Sequence, residues 1–190
     1  MPPIELLSVA DAAGQLKAGR VIAYPTEAVY GLGCDPGNES AVRAILDLKQ
    51  RRSDAGLILI ADSFERLDPF VDLGTATNLD AAMATWPGPV TWLIPRGTSV
   101  PDWLAGKHRT IAVRVTAHPV CRLLCAAFGG AIVSTSANRS SEPPALTPEA
   151  VHACFGSGIA GIVAGALGKQ SQPSEIRDLA TGAVIRKSAQ

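Results

Sequence analysis

The sequence predicts a single layered α/β domain over residues 1–190, a mixed β-sheet with flanking helices, and three observations predict it. At 190 residues the chain has the length of one compact domain and can bury a sizeable core. Its 47% hydrophobic content comes mostly from Ala, Val, Leu and Ile, with 5% aromatic residues, the balance of a globular α/β protein rather than a disordered one. Short apolar or alternating runs interleave with helical stripes along the chain, the order that lays helices on the faces of a sheet.

The elements follow in order. A helical segment covers about 9–17, and the apolar run Val21-Ile22-Ala23-Tyr24 reads as a buried strand that stops at Pro25, whose missing N–H breaks a ladder. Thr26 therefore falls just past a strand end. From Glu39 to about Lys49, residues Val42, Ile45, Leu46 and Leu48 form a helical stripe with Asn38 placed to cap it. A strand follows at 56–61. A helix at 79–86 runs into the hard turn Pro87-Gly88-Pro89, then a strand at 90–94 that turns at Pro95. Residues 110–115 alternate cleanly, 119–128 read as a helix that starts at His118-Pro119, and 131–134 as another strand. A helix at 148–155, a strand at 161–164 and two short strands at 175–179 and 183–186 complete the pattern. Two Ser-, Pro- and Gly-rich loops, 138–147 and 165–174, are long for compact-domain connections, and such loops often carry function.

Charge and motif content narrow the function. Seventeen basic residues balance seventeen acidic ones, so no global field gathers nucleic acid, and any RNA contact needs a local basic patch. The apolar runs fall far short of the roughly 20 residues that cross a bilayer, so no membrane association is expected. The start, Met1-Pro2-Pro3-Ile4-Glu5, lacks the basic and apolar stretches of a secretory signal, which predicts a cytoplasmic protein. Cys34, Cys121, Cys125 and Cys154 form no C-x-x-C pair, and Cys121 and Cys125 share a helix face with Leu124, as core residues do. His108, His118 and His152 lack ligand spacing, so no protein metal site is expected. Phosphate-loop, dinucleotide and nucleophile-elbow motifs are absent. What remains is a kit of cations and hydroxyls, which suits binding of polyanions and charge stabilisation in phosphoryl or nucleotidyl transfer.

Three clusters carry that kit. Arg114 lies on the face of its strand opposite Ile111, Val113 and Val115, together with Thr110. Buried there it needs an anion, a carboxylate of the protein or of a ligand; the alternative is a strand arginine reaching solvent. Lys49-Gln50-Arg51, followed by Arg52, closes a helix, so Lys49 and Arg51 share a face only if the helix ends near Lys49; cations there also suit the negative end of the helix dipole. Ser134-Thr135-Ser136-Ala137-Asn138 runs off a strand end, where open α/β sheets bind ligands, although Ser and Asn are also ordinary turn residues.

Six ordered segments together resemble the YrdC family in its short form: Tyr24-Pro25-Thr26-Glu27-Ala28-Val29-Tyr30-Gly31-Leu32-Gly33, Lys49-Gln50-Arg51, Trp86-Pro87-Gly88-Pro89-Val90-Thr91, Ala112-Val113-Arg114-Val115, Ser134-Thr135-Ser136-Ala137-Asn138 and Pro173-Ser174-Glu175-Ile176-Arg177-Asp178. The resemblance implies a twisted mixed sheet around a concave basic cavity. It implies synthesis of threonylcarbamoyl-AMP and pyrophosphate from L-threonine, bicarbonate and ATP, with Mg2+ carried by the nucleotide, on the way to threonylcarbamoyladenosine in tRNA. It assigns Thr26, Arg114 and Ser134 to threonine, Lys49 and Arg51 to catalysis, and Lys49, Arg51, Ser53, Thr110, Ser136, Asn138, Pro144 and Ser174 to the nucleotide. Partners implied are proteins that transfer the product and possible contact with tRNA or another RNA; the rival reading is an RNA-binding module without turnover. The chain departs from the family pattern at Arg52, where proline is usual, and at Arg139-Ser140-Ser141-Glu142, where Ser-Gly often stands.

Overall fold

The computed structural model describes residues 4 and 6–187; Met1, Pro2, Pro3 and Glu5, most of the stretch read for a secretory signal, lie outside the described residues. Among the described residues the strands are β1 (Leu6–Leu7), β2 (Ile22–Pro25), β3 (Tyr30–Gly33), β4 (Ile58–Ala61), β5 (Val90–Pro95), β6 (Thr110–Val115), β7 (Ile132–Ser136), β8 (Ile162–Val163), β9 (Glu175–Asp178) and β10 (Val184–Arg186). They join edge to edge in the order β1-β8-β2-β3-β7-β4-β6-β5-β9-β10. The β1/β8, β2/β8, β4/β6 and β5/β9 pairs are parallel and the rest antiparallel, so the sheet is mixed, as the pattern predicts.

The helices are α1 (Val9–Lys17), α2 (Glu39–Lys49), α3 (Leu79–Met83), α4 (Asp102–Ala105), α5 (Pro119–Phe128) and α6 (Pro148–Phe155). Three of the starts, those of α1, α2 and α6, are set by side chains that satisfy free N–H groups: Ser8 accepts from Asp11 N at 3.1 Å, Asn38 from Ala41 N at 3.0 Å and Thr147 from Ala150 N at 3.2 Å. Pro119 and Pro148 open α5 and α6, where a missing N–H costs nothing. At its far end α2 stops at Gln50, which adopts the left-handed conformation at φ 50°.

Alternation along the strands gives the sheet two apolar faces. Ala23, Leu32, Leu59, Val113 and Val133 belong to one core, which holds Val42 and Ile45 of α2, Leu104 of α4 and Val151 of α6. Ile22, Tyr24, Ile60 and Ile132 point the other way, onto Leu16 of α1 and Cys121, Leu124 and Cys125 of α5. Both cysteines are buried in the core, as the helix-face pattern predicts. Leu124 is fully buried at this helix–sheet junction. Leu124→Ala should lower unfolding free energy by about 2–5 kcal/mol, seen as an earlier urea midpoint at unchanged slope.

Several boundaries differ from the pattern. The strand 21–24 includes Pro25 and turns directly into β3, with Tyr30 paired to Pro25; the sequence does not signal β3, whose Tyr-Gly-Leu-Gly composition is poor in strand formers. Its glycines answer to tertiary packing: a Cβ on Gly33 would sit 2.6 Å from the Tyr24 ring and 2.7 Å from Val133 O. The helix expected at 79–86 is regular only over Leu79–Met83, because Pro87 disfavours helical backbone just before it and Thr85 turns its hydroxyl onto Ala82 O at 2.8 Å. β7 runs two residues beyond 134, to Ser136, since Thr135 and Ser136 pair with Leu32 and Gly31 of the unforeseen β3. The short β1 and α4 are also absent from the sequence reading.

Candidate active site

The cavity arises because α5 covers only one end of its sheet face. At the level of Ile60 and Ile132 the sheet is sealed by α5. One level along, Leu93, Ala112, Ile58 and Ser134 stand side by side across β5, β6, β4 and β7, and these line an open cavity of about 330 Å3. The β2–β3 turn forms one wall with Thr26, Glu27 and Val29, and the β9–β10 hairpin the opposite wall with Ile176, Ile185 and Arg186. The loop 165–174 closes along the side: Gly168 N donates to Thr26 O at 2.9 Å and Gln170 N to Glu27 O at 3.0 Å.

Of the residues expected from the sequence, Thr26, Arg51, Thr110, Arg114, Ser134, Ser136 and Ser174 all line this one cavity. Thr26 Oγ1 donates to Val29 O at 2.7 Å, closing the hairpin turn. Arg114 is 6% exposed, on the predicted face of β6, and the anion it meets is Glu27: Nη2 donates to Oε2 at 3.2 Å. Nη1 reaches Thr91 Oγ1 at 3.4 Å, and Nε is buried with no partner among the described residues. Thr91 in turn shares a 3.0 Å hydrogen bond with Ser174 Oγ. Thr116 donates to the other Glu27 oxygen at 2.6 Å. Burial pushes the Glu27 carboxyl up, but the Arg114 charge and then the Thr116 bond outweigh it and hold its pKa below the ordinary value.

Lys49, Asn138 and Pro144 do not line the cavity. α2 does end at Lys49, the condition set for Lys49 and Arg51 to act together, yet the two side chains diverge. Arg51 donates to Gly56 O at 3.0 Å and lines the cavity. Lys49 is 3% exposed and turns behind the lining, where its ammonium donates to Ser136 O, to Asn138 O at 2.8 Å and to Asn138 Oδ1 at 3.2 Å. Burial, with a smaller push from Arg51, lowers its pKa to about 8. Asn138 also accepts from Ser136 Oγ at 2.6 Å and donates to Glu142 O at 2.7 Å, so the pair stiffens the loop after β7. Pro144 precedes Ala145, whose N–H and C=O bond to Ala137 O and Tyr30 N, both at 2.9 Å, and fasten that loop back onto β3. The Ser53 side chain lies outside the described residues; its backbone opens a short 3-10 turn, Ser53–Ala55.

Sequence reasoning did not single out Glu27 or Arg186. Arg186 sits on the last strand, lines the cavity and donates to Ser174 O at 2.8 Å. Burial, then the nearby charges of Arg114 and Arg51, lower its pKa, and burial lowers that of Arg51. Guanidinium groups that crowd in this way favour an anion between them. The signals were present, a carboxylate at a strand end and an arginine in a terminal strand, but both depend on partners 87 and 12 residues away.

Comparison with known proteins points one way. The family model Sua5/YciO/YrdC, described as telomere recombination, matches residues 14–188. A relative from Alkalilimnicola ehrlichii named threonylcarbamoyl-AMP synthase is 50% identical over 181 residues, 94% of each chain. One of the same name from Nitrosococcus oceani is 51% identical over 175 residues, 92% of this chain and 95% of the relative. Among solved structures, P. abyssi Sua5 complexed with L-threonine superposes with a TM-score of 0.84 at 32% identity over 93% of this chain. This chain spans about half of it, 52%. E. coli YciO gives 0.81 at 26% identity, over 95% of this chain and 89% of its own. On the match across residues 14–188 and half-identity to full-length relatives, the chain belongs to the Sua5/YciO/YrdC family.

Proposed function

We propose that this chain is a nucleotidyltransferase that forms threonylcarbamoyl-AMP and pyrophosphate from L-threonine, bicarbonate and ATP, for threonylcarbamoyladenosine in tRNA. The observation that carries the reading is the meeting of Thr26, Arg114 and Ser134 with Arg51, Ser136 and Ser174 on one cavity, in a chain half identical to proteins named for that product. Threonine lies at the Thr26–Arg114–Ser134 end, its carboxylate on Arg114, and the nucleotide along Arg51, Thr110, Ser136 and Ser174. Lys49 and Asn138 serve the nucleotide side by fixing the Ser136 loop from behind.

The chemistry follows from those positions. Threonine's amine joins bicarbonate to give a carbamate; a carbamate oxygen attacks the α-phosphorus of ATP, and the bond to the β-phosphate breaks to release pyrophosphate. Holding the two reactants in line removes much of the entropic barrier. Arg51 and Arg186 offset the charge that grows on the departing phosphates. Magnesium belongs to the proposal as the companion of the triphosphate, where it would offset phosphate charge. Among the described residues that line the cavity Glu27 is the one carboxylate, and one carboxylate makes no cage, so the ion is left to nucleotide oxygens and water. Transfer of the product to tRNA is the task of partner proteins.

Purified protein with magnesium should release pyrophosphate only when threonine, bicarbonate and ATP are all present. A folded protein that releases none, or releases it equally without threonine, overturns the reading.

A further inference from the structure

We infer that Glu27 receives the α-ammonium group of threonine and takes up its proton as the carbamate forms, so that Glu27 and Arg114 act as a two-signed receptor for the amino-acid zwitterion. The inference rests on the threonine reading of the site given above, and it gives Glu27 a role that the reading leaves open.

Both side chains line the cavity and both are largely withdrawn from water, with side-chain exposures of 7% for Arg114 and 14% for Glu27. Each has bonding capacity left over. The guanidinium spends Nη2 on Glu27 and extends Nη1 to Thr91, while Nε, although buried, has no partner among the described residues. The carboxylate accepts one bond from Arg114, one from Thr116 and one from its own backbone N–H, which leaves part of its accepting capacity open. An α-amino acid brings two acceptor oxygens and three N–H donors on adjacent carbons, which is the complement of that surplus. A ligand with only a carboxylate would satisfy Arg114 and leave Glu27 short of its partner, a buried charge that is costly to strand.

The carboxylate is held for the purpose. Thr116 fixes Oε1 and itself accepts from His118 N at 3.1 Å, and the Glu27 carbonyl is pinned by Gln170 N at 3.0 Å. The titratable or charged groups facing it are Arg114 on β6, His118 just beyond that strand and Cys121 on α5. Until substrate arrives, Arg114 keeps Glu27 ionised against the effect of burial. A substrate carboxylate on Arg114 takes over part of that compensation and the substrate ammonium replaces it; as the ammonium gives up its proton that replacement is lost, and burial favours the protonated Glu27. The incoming amino acid thereby turns its own receptor into a base. One ammonium proton passes to Glu27, and the freed amine forms an N–C bond to the bicarbonate carbon. The second N–H proton leaves with the bicarbonate hydroxyl as water. Ammonium, carboxylate and bicarbonate become carbamate, carboxylic acid and water, with one negative charge on each side; Glu27 then returns its proton to solvent through the cavity mouth.

The test compares calorimetric binding of L-threonine with 2,3-dihydroxybutanoate, which keeps the carboxylate and side chain and replaces the ammonium by a hydroxyl. Wild-type protein should prefer threonine by on the order of tenfold or more, and Glu27→Gln, its fold checked by circular dichroism, should bring the two ligands to within about threefold of each other. A wild-type protein that does not distinguish them overturns the inference without any variant. So does a Glu27→Gln protein that keeps the wild-type ratio, since a merely structural carboxylate would weaken both ligands alike. Pyrophosphate release by the wild type separates the two levels: release with an unaltered ratio defeats the role of Glu27 and leaves the proposed function standing, whereas no release defeats the function itself.

Discussion

Replacing Arg114 by alanine should weaken threonine binding by about 2–5 kcal/mol, which at tenfold per 1.4 kcal/mol is a loss of roughly 30-fold or more, while ATP binding changes far less. The reason is positional. Arg114 lines the cavity beside Glu27, and in the proposed arrangement the cations that face the nucleotide are Arg51 and Arg186. The same substitution also strands Glu27, a buried carboxylate, so the alanine protein should be about 3–5 kcal/mol less stable as well. The two effects can be parted. In an Arg114→Met, Glu27→Gln double variant no charge is left unpaired, so stability should return while threonine affinity stays lost. Calorimetry with each substrate and a urea titration read the two quantities independently, and equal losses for threonine and ATP would refute the assignment.

Lys49→Met should be the second severe change, with pyrophosphate release falling by about 100-fold or more at saturating substrates. Its ammonium joins three acceptors on Ser136 and Asn138, and Ser140 N and Oγ return to Lys49 O at 2.8 and 3.1 Å. Helix α2 and the loop after β7 are thus stitched in both directions. Methionine fills the space but donates nothing, leaving Asn138 O stranded in a half-buried place at about 1–3 kcal/mol, while Ser136 O and Asn138 Oδ1 keep their bonds from Asn138 N and Ser136 Oγ. Threonine affinity, set on the opposite side, should change less than about threefold. If Lys49→Met instead cuts ATP affinity with no loss of thermal stability, the lysine works on phosphate and not on the loop.

Sequence alone carried the sheet's periodicity well, because a strand with one face against helices writes a period of two into its residues. That is why the pattern places Arg114 on the face opposite Ile111, Val113 and Val115, but its burial, and with it the choice between an anion and solvent, comes from the structure. β3 left no such trace. Its Gly31 and Gly33 are strand residues only because the Thr26 methyl and Tyr24 ring need their space, a demand created by packing. Without β3, residues 135 and 136 look like the start of a loop; with it, they are the end of β7. The destination of Lys49 was hidden for a similar reason. Local pattern fixes where α2 stops, but the acceptors that draw in the ammonium lie 87 and 89 residues later. Glu27 shares that difficulty, since a carboxylate in a turn acquires meaning only from the strand that packs beside it.

The cavity's two long walls are not equally anchored. The wall that carries Thr26 and Glu27 springs from strands in the middle of the sheet, whereas β10 lies at its margin, bonded to β9 alone, with Ile185 61% exposed. Margins of a sheet open locally at far lower cost than its centre. A ligand that touches Arg186 on one side and Arg114 on the other therefore ties a margin of the sheet to its interior strands.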